Sequence, residues 1–261
     1  MNTAATTAAT PSGPWTAVGP ADAPAIVFVH GTRLTRAAWW PQLRRLSGRY
    51  RCVALDLPGH GALAGEPFTL DGAADRVGEA IAAAVPSGRA VVVGLSLGGY
   101  VAVEAAGRHP DRVAGLVLAG CSADPVGAMA GPFRGLARIL EIAPRGPLDA
   151  LNAAFFRLRY GAPVGDPIVA GGFWSDGGAA AVRSLVGIRF RERLFDLWVP
   201  VLVLNGALDP VFHPGGVEWA ASARRGRHVV IPRAMHLSNL DRPGAFAEAV
   251  ARFTDEVSPQ P

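Results

Sequence analysis

The sequence predicts an α/β protein with a mostly parallel central sheet and helices on both faces. Three observations predict it. Short apolar, often β-branched runs alternate with helical stretches along most of the 261 residues, the pattern of strand–helix–strand crossovers. The strand candidates are continuously apolar, as expected of strands covered on both faces. The residues with catalytic chemistry repeatedly fall just after these runs, where open α/β sheets bind their ligands.

In chain order, Ala25–Val29 is the first buried-strand pattern, a helical stretch follows over Ala37–Leu46, and Arg51–Leu55 is the second strand. Leu70–Val85 reads as a helix leading to the strand Ala90–Val93, and Leu97–His109 as a helix leading to Val113–Ala119. The alternation then breaks between Ser122 and Asp196, where Pro125, Pro132, Pro144, Pro147, Pro163 and Pro167 surround short apolar segments such as Leu148–Tyr160 and Ala179–Ile188. A structureless loop of that length is uncommon in a compact domain. Beyond it come the strand Pro200–Leu204, a helix over Gly215–Ala223, the strand His228–Ile231 and a last helix over Pro243–Val257. His30, Asp56, Ser96, Asp209 and His236 all lie just after strand ends, along one edge of one sheet.

Composition narrows the function. Half of the residues are hydrophobic, enough for one sizeable core. All 25 basic residues are Arg, and the absence of Lys excludes Schiff-base chemistry, a Ser–Lys dyad and a P-loop lysine. The net charge of +4 raises nucleic acid or an acidic membrane as partners. The arginines are scattered among carboxylates, as in Arg191-Glu192-Arg193, and no nucleic-acid-binding signature accompanies them, so neither partner is expected. Cys52 and Cys121 read as small buried hydrophobes. The six histidines show no metal-ligand spacing, and no metal is expected. Met1–Pro14 is small and polar, without the basic start and apolar core of a signal peptide; residues 1–14 read as a disordered leader. No apolar run is long enough to cross a membrane, so the default compartment is the cytoplasm.

The richest segment is Val91-Val92-Val93-Gly94-Leu95-Ser96-Leu97-Gly98-Gly99. A buried strand reaches a serine between two glycines and continues into a helix. A nucleophile displayed on such a sharp turn has strained backbone geometry and needs small residues two before and two after it, the places of Gly94 and Gly98. The turn leaves the Leu97 amide beside the Ser96 hydroxyl at a helix N-terminus, where an anion is stabilised.

With Phe28-Val29-His30-Gly31-Thr32, Asp56-Leu57-Pro58-Gly59-His60-Gly61, Asn205-Gly206-Ala207-Leu208-Asp209-Pro210 and Ile231-Pro232-Arg233-Ala234-Met235-His236, the Ser96 turn makes the chain resemble the α/β-hydrolase family from about Ala23 to about Val257. The resemblance implies a core domain in two parts, residues 15–121 and 197–261, with a helical cap over 122–196. It implies His236 as general base and the chain order Ser96, Asp209, His236 for a triad. Two acids compete: Asp209, whose spacing to His236 matches the commoner pattern, and Asp124 in Cys121-Ser122-Ala123-Asp124-Pro125. The second oxyanion donor, implied by the resemblance, is the Thr32 amide. His30 and His60 match structural positions of the family's turns. Arg33 departs from the apolar or Gly residue often seen there; solvent and a substrate carboxylate are its two readings. Phe155, Phe156, Phe173, Trp174 and Phe190 read as packing or as the lining of an apolar pocket, and Arg183, Arg189, Arg191 and Arg193 as a solvated face or an acid-binding one.

The reading is a cofactor-independent serine hydrolase acting on a small to medium ester, thioester or lactone, with a small molecule as its partner. A C–C bond hydrolase, lyase or cofactor-free oxygenase with the same triad is the alternative, beside an acyltransferase or perhydrolase and a non-enzymatic binding module. Oligomeric state is not legible.

Overall fold

The computed structural model describes residues 13–258. The first twelve residues of the leader expected over 1–14 lie outside the described residues. Gly13 and Pro14 are tied down, with the Arg36 guanidinium on the Gly13 carbonyl and the Asp56 amide on that of Pro14.

The strands are β1 (Trp15–Val18), β2 (Ala25–Val29), β3 (Arg51–Leu55), β4 (Ala90–Leu95), β5 (Val113–Ala119), β6 (Val201–Gly206) and β7 (Gly226–Ile231). They form one seven-stranded sheet in the order β1-β3-β2-β4-β5-β6-β7. All neighbours pair in parallel except β1, which runs antiparallel to β3. β1 carries no signal in the sequence because it is a four-residue edge strand with every side chain half-buried. β4 runs two residues past the apolar triplet because Gly94 and Leu95 still pair with Leu118 and Ala119.

The helices are α1 (Trp40–Leu46), α2 (Leu70–Ala84), α3 (Leu97–Arg108), α4 (Ala130–Ile142), α5 (Arg145–Tyr160), α6 (Ala162–Gly171), α7 (Ser175–Leu185), α8 (Phe190–Asp196), α9 (Gly216–Ser222), α10 (Ser238–Asp241) and α11 (Pro243–Val257). The helix expected over Ala37–Leu46 is split: a 3₁₀ turn spans Arg36–Trp39, and α1 starts with Pro41 in its first turn. Proline lacks the N–H that a longer helix would need there.

Side chains of the central strands alternate between two cores. Val27, Val53, Val92, Leu116 and Val203 face α2, α3 and α9, while Ile26, Cys52, Val91, Val93, Val117 and Leu202 pack with Trp39, Phe246 and Phe253 of the opposite layer. Burial on both faces is what makes the strands read as unbroken apolar runs. Between β5 and β6 stand five helices, α4–α8. The two segments singled out in the sequence belong to α5 and α7, and α4, α6 and α8 complete the insertion. No described helix is long and apolar enough to cross a membrane.

Two histidines lock the loops after β2 and β3. The His30 ring bonds through Nδ1 to the Gly31 carbonyl (2.9 Å) and accepts the Leu57 amide on Nε2 (3.0 Å). His60 bonds likewise to the Pro58 carbonyl (2.9 Å) and accepts the Arg33 amide (3.3 Å). An Nε2 that accepts must be unprotonated, so both rings are neutral with the proton on Nδ1. Burial lowers the His30 pKa from 6.5 to about 4, and burial with the neighbouring His30 lowers that of His60 to about 3. These depressed values contribute stability that is fully present above the unfolded-chain value of 6.5 and is lost as pH falls towards the folded values. Unfolding free energy from urea titrations is therefore expected to fall between pH 6.5 and 5, above the main carboxylate range. His60→Gln should roughly halve that slope, leaving one of two such groups; a flat profile for the unsubstituted protein would contradict the assignment.

Candidate active site

Ser96 sits between β4 and α3 at φ 53°, ψ −116°. For a residue with a Cβ this conformation costs on the order of 1–3 kcal/mol. Its neighbours make the turn possible. A Cβ on Gly94 would run into the Gly98 carbonyl, and one on Gly98 into the carbonyls of Val29 and His30. The Ser96 amide donates to the Ala119 carbonyl (2.7 Å), which fixes the turn to the end of β5.

The close approach of α3 to the end of β2 brings the His30–Gly31–Thr32 loop beside the serine. A Cβ on Gly31 would lie 3.5 Å from the Ser96 Cβ. The Leu97 amide, first in α3, has no intrahelical acceptor, and no loop or turn carbonyl accepts from it or from the Thr32 amide among the described residues.

His236 lies in the loop between β7 and α10. Its Nδ1 is 3.0 Å from Asp209 Oδ2, with the Asp209 side chain buried and that of His236 37 % exposed. The other Asp209 oxygen accepts the amides of Val211 (3.0 Å) and Phe212 (3.1 Å). Burial pushes the Asp209 carboxyl up, but the His236 hydrogen bond, these two amides and the histidine's charge outweigh it and hold the carboxyl below its ordinary value. It stays ionised at neutral pH and accepts a hydrogen bond from Nδ1–H, which leaves Nε2 as the unprotonated nitrogen. Phe212 stacks on the ring at 5.1 Å. Gly120, next to the residue that holds the Ser96 amide, lies against the same ring: at φ 58° its Cβ would be 3.0 Å from His236 Nδ1. Ser96 and His236 therefore flank the end of β5 from two sides.

The second contender for the acid lies elsewhere. Asp124 accepts the Arg191 amide (3.2 Å) and Nε (3.3 Å), joining the start of the insertion to α8. Arg33 takes neither reading given it. Its Nη2 donates to Asp149 (2.8 Å) and its Nε to Ser175 (3.0 Å), and burial, only partly offset by Asp149, lowers its pKa. The four arginines singled out in the insertion are paired, Arg183 with Glu141, Arg189 with Glu192, Arg191 with Asp124 and Glu218, and Arg193 with Glu104. Of the aromatics, Phe190 is core, 4.7 Å from Tyr100, and Phe156 stacks on Phe173. Phe155 stays about half exposed.

Two supports were not singled out in the sequence. Fully buried Asn205 donates to Ser122 Oγ (3.0 Å), which donates to the Phe212 carbonyl (2.6 Å), so the acid loop is pinned to the end of β5. Asp241 accepts the Met235 amide (2.7 Å) beside His236. An Asn near the end of a strand and an Asp in the short helix α10 are the only sequence signals they leave.

The serine turn yields a direct test. Gly94→Ala and Gly98→Ala each force a methyl into backbone and should lower unfolding free energy by about 1–3 kcal/mol in urea titrations. Gly107→Ala, inside α3 with open space around it, should be neutral or stabilising. Equal effects at all three positions would contradict the packing described.

Comparison with known proteins agrees with this fold. The model of the alpha/beta hydrolase family matches residues 26–249. A pimeloyl-[acyl-carrier protein] methyl ester esterase of Pectobacterium atrosepticum is 30% identical over 253 residues, covering 87% of this chain and 93% of that protein. Among solved structures, a thermophilic esterase from Thermogutta terrifontis superposes with a TM-score of 0.77 at 27% identity, covering 93% of each chain. The enol-lactonase from Burkholderia xenovorans superposes with a TM-score of 0.73 at 25% identity, covering 92% of this chain and 95% of that one.

Proposed function

The chain belongs to the alpha/beta hydrolase family, and from that premise we propose that it is a serine hydrolase cleaving small to medium carboxylic esters, lactones included, through an acyl-enzyme on Ser96. The observation that carries the reading is the His236 Nδ1–Asp209 Oδ2 bond of 3.0 Å, formed across the sheet edge from a serine held in a strained turn. A receptor on this fold has no use for a base oriented by a buried carboxylate.

The chemistry follows from the parts. Nε2 of His236 takes the Ser96 proton as Oγ attacks the ester carbonyl. The tetrahedral oxyanion forms between the Leu97 and Thr32 amides, each such donor contributing roughly 3–4 kcal/mol to transition-state stabilisation. The histidinium, balanced by Asp209, returns its proton to the departing alcohol. Water then attacks the acyl carbon as it gives a proton to His236, and the bond to Ser96 Oγ breaks as the histidinium returns that proton to Oγ, releasing the acid and restoring the serine.

Helices α4–α8, residues 122–196, take the part of a cap over this edge. A methyl ester, the substrate class in the name of the Pectobacterium atrosepticum relative, is the kind of small-alcohol ester we assign. Pockets enclosed by one domain hold roughly 300–1,000 Å³, which favours short and medium acyl groups over lipid chains.

A fluorophosphonate should label Ser96 and no other serine, and Ser96→Ala should lower kcat on p-nitrophenyl butyrate by about 10⁴-fold or more with the unfolding midpoint retained. Asp209→Asn should cost about 10³–10⁴-fold, because His236 loses its orienting partner. Asp124→Asn, which breaks only the contact to Arg191, should stay within a few-fold of the unsubstituted enzyme. The reverse ranking would move the acid to Asp124. Negligible turnover of every ester, thioester and lactone would transfer the triad to carbon–carbon or oxygenase chemistry.

A further inference from the structure

α5 is the least buried helix of the insertion, with Phe156 its single buried side chain. It packs chiefly on α6, although only Ala143 and Pro144 separate it from α4, which packs on α7 instead. Its two ends are held in different ways. At the C-terminal end Phe156 belongs to a cluster with Leu34, Ile168 and Leu240. There Arg159 Nη2 (3.0 Å) and Tyr160 Oη (3.1 Å) also donate to Asp241, whose other oxygen takes the Met235 amide. That end is joined to the His236 loop by apolar packing and by a buried carboxylate.

The N-terminal end has no fully buried side chain and carries two ion pairs. Arg145 pairs with Asp176 at an exposed position, where ion pairs contribute little. The other hold is Asp149 on Arg33, and Arg33 is unusual. Its side chain is only 12 % exposed, its guanidinium stands 5.6 Å from the Phe173 ring, and it belongs to the residue immediately after Thr32. Its backbone is at φ 65°, where glycine sits without strain and any other residue pays on the order of 1–3 kcal/mol. The backbone itself is fixed by other bonds, from the Arg33 amide to His60 Nε2 (3.3 Å) and from the Trp174 amide to the Arg33 carbonyl (3.0 Å). The side chain is thus dispensable for the turn, and its bonds run to the cap, to Asp149 of α5 and Ser175 of α7.

We propose that Arg33 is a positioning residue that, through Asp149, latches the first half of α5 to the loop carrying the Thr32 amide and so governs how readily the acyl substrate is bound. α5 hinges at its apolar C-terminal end and is released at its charged N-terminal end. Unlatched, the binding-competent arrangement is populated for a fraction of the time, and apparent affinity falls by that fraction while bound complexes react normally. The inference rests on the hydrolase reading for its kinetic consequence, though the latch itself does not require it.

Arg33→Gly isolates the side chain, since glycine accepts the positive φ and keeps both backbone bonds. Asp149→Asn breaks the pair from the cap side. On p-nitrophenyl butyrate each variant should raise KM about tenfold with kcat within about twofold, and the double variant should be no worse than either alone. Arg33→Lys, which keeps a cation for Asp149, should hold KM within about threefold. Amide hydrogen exchange, run in a Ser96→Ala background so that it is independent of turnover, should quicken over Arg145–Asn152 and stay unchanged over Phe156–Tyr160. An unchanged KM in Arg33→Gly, additive losses in the double variant, or unchanged exchange over Arg145–Asn152 would each overturn the latch. Quickened exchange together with full turnover in Ser96→Ala would uphold the latch and remove the hydrolase reading instead.

Discussion

The backbone of Ser96, held at φ 53°, constrains the rest of the catalytic edge. It is tolerated only because α3 comes close enough to β2 that no Cβ fits at Gly98, and because the Gly94–Gly98 contact is equally tight. That closeness sets the Leu97 amide and the Gly31–Thr32 loop on either side of the serine. The bond from the Ser96 amide to Ala119 extends the constraint to β5, where Gly120 leaves room for the His236 ring. The Ser96 turn, the Gly31–Thr32 loop and the His236 ring are thereby placed by backbone proximity, and large side chains are excluded at each crossing.

Charge is distributed to suit that arrangement. His30 and His60 are kept neutral by burial, so their rings serve as fixed acceptors for the Leu57 and Arg33 amides. His236 differs from them in being partly exposed and in facing an ionised carboxylate. Three histidines near one sheet edge take different roles because their surroundings differ. Arg183, Arg189, Arg191 and Arg193 are each paired with a carboxylate.

What the sequence revealed and what it concealed have physical causes. β2, β3 and β5 are legible to the residue because burial on both faces leaves them uniformly apolar, while half-exposed β1 has no such pattern. The helices between β5 and β6 were obscured by their composition: α4 exposes Leu136, Ile139 and Ile142 while burying Phe133, Ala137 and Leu140, which blurs its period, and α6 contains Pro167. Ser96 and His236 stand out in the sequence by their local context, and spacing to His236 favours Asp209 over Asp124, although both follow strands in Asp-Pro turns. The structure adds the hydrogen bond from His236 to Asp209 and the contact of Asp124 with Arg191. The ion pair of Arg33 was beyond local reading altogether, because its partner Asp149 lies 116 residues away along the chain.

Covalent catalysis by Ser96 is the claim on which the functional reading stands, and trapping the intermediate tests it most directly. The protein would be mixed with p-nitrophenyl butyrate, quenched in acid within one turnover, digested and mapped by mass spectrometry. A butyryl adduct confined to the peptide bearing Ser96, and absent from Ser96→Ala, is the predicted result. Full-rate product release with no acyl group on Ser96, or an adduct on another residue, would contradict it.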